Sequence, residues 1–141
     1  MTSQATTSQS TLAVAVYSLL HPVTPGFFAG AWLFDIIYVY SMEPLWTRAA
    51  SWLIALGLVI SILPRLINLA QVWVGVSYPV HSAQKIHFWA YFVAILLEIF
   101  NAFIHSRDAY AVVPAGVILS TVAVIVILFA NLQLALRERS A

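Results

Sequence analysis

Residues 109–136 run for 28 positions without a charged side chain, between Asp108 and Arg137. A hydrocarbon core about 30 Å thick is crossed by roughly 20 apolar residues in a helix, so this run is ample for one tilted crossing. No water is present in that core to satisfy a free amide or carbonyl, and a spanning segment of this kind must therefore be helical. Three more runs of comparable character precede it. The segment Lys85–Asp108, KIHFWAYFVAILLEIFNAFIHSRD, is long enough to cross, with the crossing itself at Ile86–Ser106. Arg48 and Arg65 bracket sixteen uncharged residues, and that crossing continues past Pro64 toward Leu69. A first crossing starts near Pro25 and ends before Pro44. The composition agrees: 62% hydrophobic, 8% charged and a mean hydropathy of +0.94 leave too few polar groups to cover a water-soluble globule of 141 residues. The expected fold is all-α, a four-transmembrane-helix antiparallel bundle.

In chain order, residues 1–11 are rich in Ser, Thr and Gln and read as a disordered tail; residues 12–141 read as a single four-span membrane domain. Leu12–Leu20 is too short to span and lacks the basic flank and small-residue cleavage site of a secretory signal. It reads as a short interfacial helix, or as the first turns of a longer broken span, because Pro22 and Pro25 with Gly26 are expected to interrupt the helix. Gly57, Ser61, Pro64 and Asn68 share one face of the second crossing and form a seam for close helix packing. Residues 70–84, with their Trp, Tyr, Pro and His, suit an interfacial loop. Four crossings put both termini on one side. Arg65, Lys85, Arg137 and Arg139 lie on that side and Arg48 and Arg107 on the other, which favours cytoplasmic termini.

Several function classes fall away on composition and motif. A formal charge of +1, with scattered Lys and Arg, offers no field for nucleic acid. Zero cysteines exclude disulfides, thiolate metal sites and covalent haem attachment. No nucleophile elbow, H-E-x-x-H, phosphate loop or dinucleotide fingerprint is present.

What remains is an unusual set of polar residues inside apolar helices. At 100° per residue, His87, Glu98 and His105 fall within about 20° of one another and extend along roughly 27 Å of helix. With the first and third crossings parallel, the polar groups sort into two layers. The external layer holds Asp35, Glu98, Asn101 and His105, followed by Arg107 and Asp108. A lone carboxylate in a bilayer costs several kcal/mol, so Asp35 and Glu98 are expected to face the bundle interior, pair, or take up protons. They either bind a cation or relay a proton, or they share hydrogen bonds with Asn101, Tyr38 or His105 and fix helix register. The cytoplasmic layer holds His21, His87 and Arg65. Two imidazoles at one depth could ligate a b-type haem axially, with Arg65 meeting a propionate and Gly26 and Gly30 admitting the porphyrin. The alternative makes His21 an interfacial residue and His87 a cap near a helix start. His81 is expected to face water. Trp32, Trp52 and Trp89 read as packing residues or interface anchors.

The segments HPVTPGFFAGAWLFD, AASWLIALGL and NAFIHSRDAYAVVPAGVILS, covering roughly residues 20–125, resemble the bacterial domain-of-unknown-function family 2231, four-helix membrane proteins. The resemblance implies a bacterial inner-membrane location, and the redox domains joined to some relatives imply electron transfer as one role. The fourth helix departs from the pattern: FANLQLALRERS stands where such relatives carry a Gly-rich stretch. The reading is thus a multi-pass inner-membrane protein without recognisable catalytic activity, an accessory or structural subunit in the lipid bilayer with membrane-protein partners or a second copy of itself. Haem-based electron transfer through His21 and His87, and cation or proton binding at Asp35 and Glu98, stand as alternatives.

Overall fold

The structure, a computed structural model, describes residues 11–73, 82–107 and 112–140. Four helices follow one another: α1 Thr11–Ser41, α2 Pro44–Trp73, α3 Ser82–Arg107 and α4 Ala115–Ser140. Each contains a stretch long and apolar enough to cross a membrane: Pro22–Ser41, Pro44–Leu63, Lys85–Arg107 and Ala115–Arg137. Each helix packs against its neighbours in sequence, and α4 closes the ring against α1; α1 and α3 lie across one diagonal, α2 and α4 across the other. Large apolar side chains, among them Trp52, Trp89, Phe103, Leu128 and Phe129, point outward, as a surface facing lipid requires.

Two expectations from the sequence need correction. Pro22 and Pro25 do not interrupt α1, which runs as one helix through both. Each proline removes one amide donor, whereas opening the helix in lipid would strand a whole turn of backbone groups, so continuity is the less costly choice. Residues 12–20 are accordingly the first turns of α1 and not a separate interfacial helix, and Thr11, read as tail, begins it. Residues 1–10 lie outside the described residues. The 70–84 loop is also shorter than expected: α2 continues to Trp73 and α3 begins at Ser82. Residues 74–81, including His81, lie outside the described residues.

The α1–α2 turn is tight. Met42 takes a left-handed backbone (φ 56°) and its amide donates to Tyr38 O at 2.8 Å, capping α1. Pro44 then opens α2 at the position where a missing donor costs nothing. The pair is drawn together at Gly57, where a Cβ would stand 2.7 Å from Phe28 Cε1 and 3.1 Å from Phe27 Cβ. Gly57 and Ser61 are buried, in accord with the seam read from sequence; the side chains of Pro64 and Asn68 lie outside the described ones. Two apolar clusters fill the interior. Phe28, Tyr91, Ala94, Ile127 and Ala130 join α1, α3 and α4; Ala31, Ala50 and Ile54 join α1 and α2. A polar layer lies toward the end of the bundle bearing the α1–α2 turn, beyond the first cluster and level with Ala50 of the second.

Candidate functional site

Asp35 is on α1, one turn before the buried Tyr38, and its side chain is fully buried. Its carboxylate bonds lead to the other helices. Oδ1 meets His105 Nε2 at 2.7 Å across the α1–α3 diagonal, and Oδ2 accepts from the Ser120 hydroxyl of α4 at 2.5 Å. Ser120 Oγ in turn accepts from Asn101 Nδ2 at 2.7 Å. His105 Nδ1 lies 3.0 Å from the backbone carbonyl of Asn101. These four contacts close a ring: Asn101 to Ser120, Ser120 to Asp35, Asp35 to His105, and His105 back to Asn101. Glu98 hangs from the ring, its Oε2 accepting from the second Asn101 Nδ2 hydrogen at 3.2 Å.

Local sequence explains the placement. Glu98, Asn101 and His105 recur at spacings of three and four on α3, so they occupy one inward stripe. On α4, Gly116 lets the helix approach that stripe. A Cβ there would meet Val112 Cγ1 at 2.9 Å, His105 Cε1 at 3.2 Å and Asn101 Oδ1 at 3.3 Å. Ser120 follows one turn later, small enough to sit at the contact and polar enough to bridge it. Asp35, Glu98, Asn101 and Ser120 are each 0% exposed.

Donor and acceptor counting fixes much of the protonation. His105 Nδ1 faces a carbonyl oxygen, which can only accept, so Nδ1 carries a hydrogen. A second proton lies between Nε2 and Asp35 Oδ1, whichever of the two holds it. The pair is net neutral in both forms, which suits a buried site. Among the described residues, two buried oxygens of the cluster have no hydrogen-bond partner: Glu98 Oε1 and Asn101 Oδ1.

The sequence brought Asp35, Glu98, Asn101 and His105 into one layer, and the structure places them together. Asp35 and Glu98 are linked through Ser120 and Asn101 and not by a bond of their own. His105 is an integral member of the ring, its side chain fully buried; Arg107, by contrast, is exposed, and Asp108 lies outside the described residues. Ser120 was overlooked. The hairpin arithmetic would have found it: with α3 and α4 antiparallel, residues equally far from their connection face each other, and Asn101 and Ser120 are such a pair.

The same symmetry accounts for the second layer. His87 Nε2 lies 3.3 Å from Asn131 Oδ1, and Tyr91 donates its hydroxyl to the same oxygen at 3.2 Å. The His87 and Tyr91 rings stack at 4.6 Å. Because the amide oxygen only accepts, Nε2 carries the hydrogen in this arrangement. Axial haem ligation through Nε2 would require loss of this bond. His21 stands on α1, but its side chain and that of Arg65 lie outside the described ones, so the proposed trio of His21, His87 and Arg65 is represented here by His87 alone. Gly26 has open space beside it, in an apolar groove lined by Val23, Phe27 and Leu53. Among the described residues, no group of three or more His, Cys, Asp or Glu side chains is arranged to hold a metal ion. Trp32 is a packing residue with a polar anchor, its Nε1 donating to Thr121 Oγ1 at 3.0 Å; Trp52 and Trp89 are exposed on the lipid-facing surface.

In comparison with known families, a family model described as predicted membrane protein (DUF2231) matches residues 14–134. Comparisons with curated proteins and with solved structures gave no match.

Proposed function

The chain belongs to the DUF2231 family of predicted membrane proteins, and from that premise we propose that it is a non-catalytic, accessory component of the bacterial inner membrane, both termini cytoplasmic, whose buried polar ring holds the bundle in one register for docking of membrane partners or a second copy. The observation that carries this reading is closure of the ring: Asp35, His105, Asn101 and Ser120 bond to one another in sequence, joining α1, α3 and α4. A group arranged for turnover needs an approach for substrate, and the side chains of Asp35, Asn101, Ser120 and His105 are buried. In lipid, where burial of apolar surface drives no association between helices, polar bonds and close small-residue contacts set the packing.

The test is purification of the full chain in detergent from cells supplied with haem and metals. The expected product is colourless, free of stoichiometric metal, and unfolds at lower denaturing-detergent fraction when any ring member is replaced. A reduced-state Soret and α band lost in His87→Ala would instead establish the haem reading and overturn this one. A second reading, cation or proton binding at the external layer, is favoured by the two oxygens left without partners, Glu98 Oε1 and Asn101 Oδ1.

A further inference from the structure

The partnerless oxygens belong to residues one turn apart on α3, and those residues already share a bond. Asn101 Nδ2 donates to Glu98 Oε2, while Glu98 Oε1 and Asn101 Oδ1 remain as acceptors without a donor, both buried. A carboxylic acid and a primary amide are complementary: the acid hydroxyl donates to the amide oxygen while the amide nitrogen donates to the acid carbonyl. One half of that exchange is present. A single proton on Oε1 supplies the other half and satisfies both oxygens at once.

We infer that Glu98 is a proton-binding site, its proton carried on Oε1 and directed at Asn101 Oδ1. The charge count agrees with this. Among the described residues, the titratable groups facing Glu98 are Asp35 from α1 and His105 on α3 itself; α4 presents Ser120, and Arg48 of α2 is exposed. Asp35 and His105 are neutral as a pair, so no cation remains to balance an ionised Glu98. With the proton bound the whole cluster is neutral; on release, the proton leaves Oε1 and a net charge of −1 stays behind in a buried site. Asn101 Nδ2 also donates to Ser120, so loading and unloading of Glu98 act on the same amide that closes the ring. The ligand is thus a proton, held one bond away from the contact that joins α3 to α4. This inference builds on the external-layer reading and is independent of whether the protein is an accessory subunit.

The test is infrared spectroscopy of the full chain in lipid nanodiscs, in H2O and D2O. Wild type should show the carbonyl stretch of a protonated carboxylic acid, shifting in D2O. Glutamate labelled with 13C at the side-chain carboxyl should move that band in the wild-type protein; Glu43→Gln and Glu138→Gln should leave it in place and Glu98→Gln should remove it. Glu98→Gln should fold with unchanged unfolding midpoint, since its amide can donate to Asn101 Oδ1 and accept from Nδ2 as the acid does. Absence of a glutamate-labelled acid band in the wild type overturns the inference. So does a band that survives Glu98→Gln, or a wild-type unfolding midpoint that depends on added Na+ or K+ while the band is missing, which would mean an ionised Glu98 holding a metal cation. The isotope experiment needs no variant, so misfolding of Glu98→Gln leaves the inference testable.

Discussion

Replacing Ser120 with Ala removes one oxygen and breaks two bonds of the ring at once. Ser120 Oγ donates to Asp35 Oδ2 at 2.5 Å and accepts from Asn101 Nδ2 at 2.7 Å, and it is the sole α4 side chain of the ring. Cross-helix hydrogen bonds in membrane proteins average about 0.6 kcal/mol, so the pair sets a lower figure of about 1.2 kcal/mol. The substitution also strands one carboxylate oxygen in a buried site, and a stranded acceptor costs about 1–3 kcal/mol, so the expected loss is between about 1 and 3 kcal/mol. Thr121→Ala is the matched control. It neighbours Ser120 on α4, removes a hydroxyl together with a half-buried methyl, and loses one cross-helix bond, from Trp32, for an expected cost of about 0.6 kcal/mol from the bond. Reversible unfolding by sodium dodecyl sulfate in mixed micelles, followed by tryptophan fluorescence, measures both. If Ser120→Ala is no more destabilised than Thr121→Ala, the ring does not carry the α1–α4 contact and the reasoning fails.

Three other outcomes follow from the structure and are checked by the same unfolding assay or by labelling. Gly57→Ala should destabilise by about 1–3 kcal/mol, because its Cβ meets the buried Phe28 ring and the Cβ of Phe27, whereas Gly26→Ala, with open space beside it, should gain up to about 1 kcal/mol from helix propensity. Met42→Gly should stabilise by about 1 kcal/mol, since Met42 holds a left-handed backbone at an exposed position where glycine has no Cβ penalty. The chain contains no cysteine, so single cysteines at Arg107 and Arg139 are clean reporters of topology. An impermeant maleimide should label the first from outside intact cells and the second only after lysis; the reverse pattern would invert the bundle.

Helix number and order were legible because three of the four crossings are bounded by charges and the first by prolines: Arg48, Arg65, Lys85, Arg107 and Arg137 mark the ends of long apolar runs, and lipid admits few folds for such runs. The external layer was legible because Glu98, Asn101 and His105 repeat at helical spacing on one element. The proline break was misread. A rule drawn from water-exposed helices, where a broken turn is solvated, does not carry over to Pro22 and Pro25 at the edge of a bilayer. The pairings within the layer depend on facing residues of different helices, which periodicity along one helix cannot supply. A lone serine such as Ser120 in an apolar run carries no mark of its role, and it becomes visible only when α3 and α4 are folded against each other about their connection. Asn131 opposite His87 is the same case.

The central claim is that Asp35 and His105 form one unit across the diagonal of the bundle, and a double-mutant cycle measures it directly. Removing one partner of a buried pair costs roughly 3–5 kcal/mol because the other is left uncompensated, so Asp35→Ala and His105→Ala should each be severe. The two losses should then overlap: the double variant is expected to cost little more than the worse single variant, a coupling of several kcal/mol. Additive losses in the double variant would contradict the account.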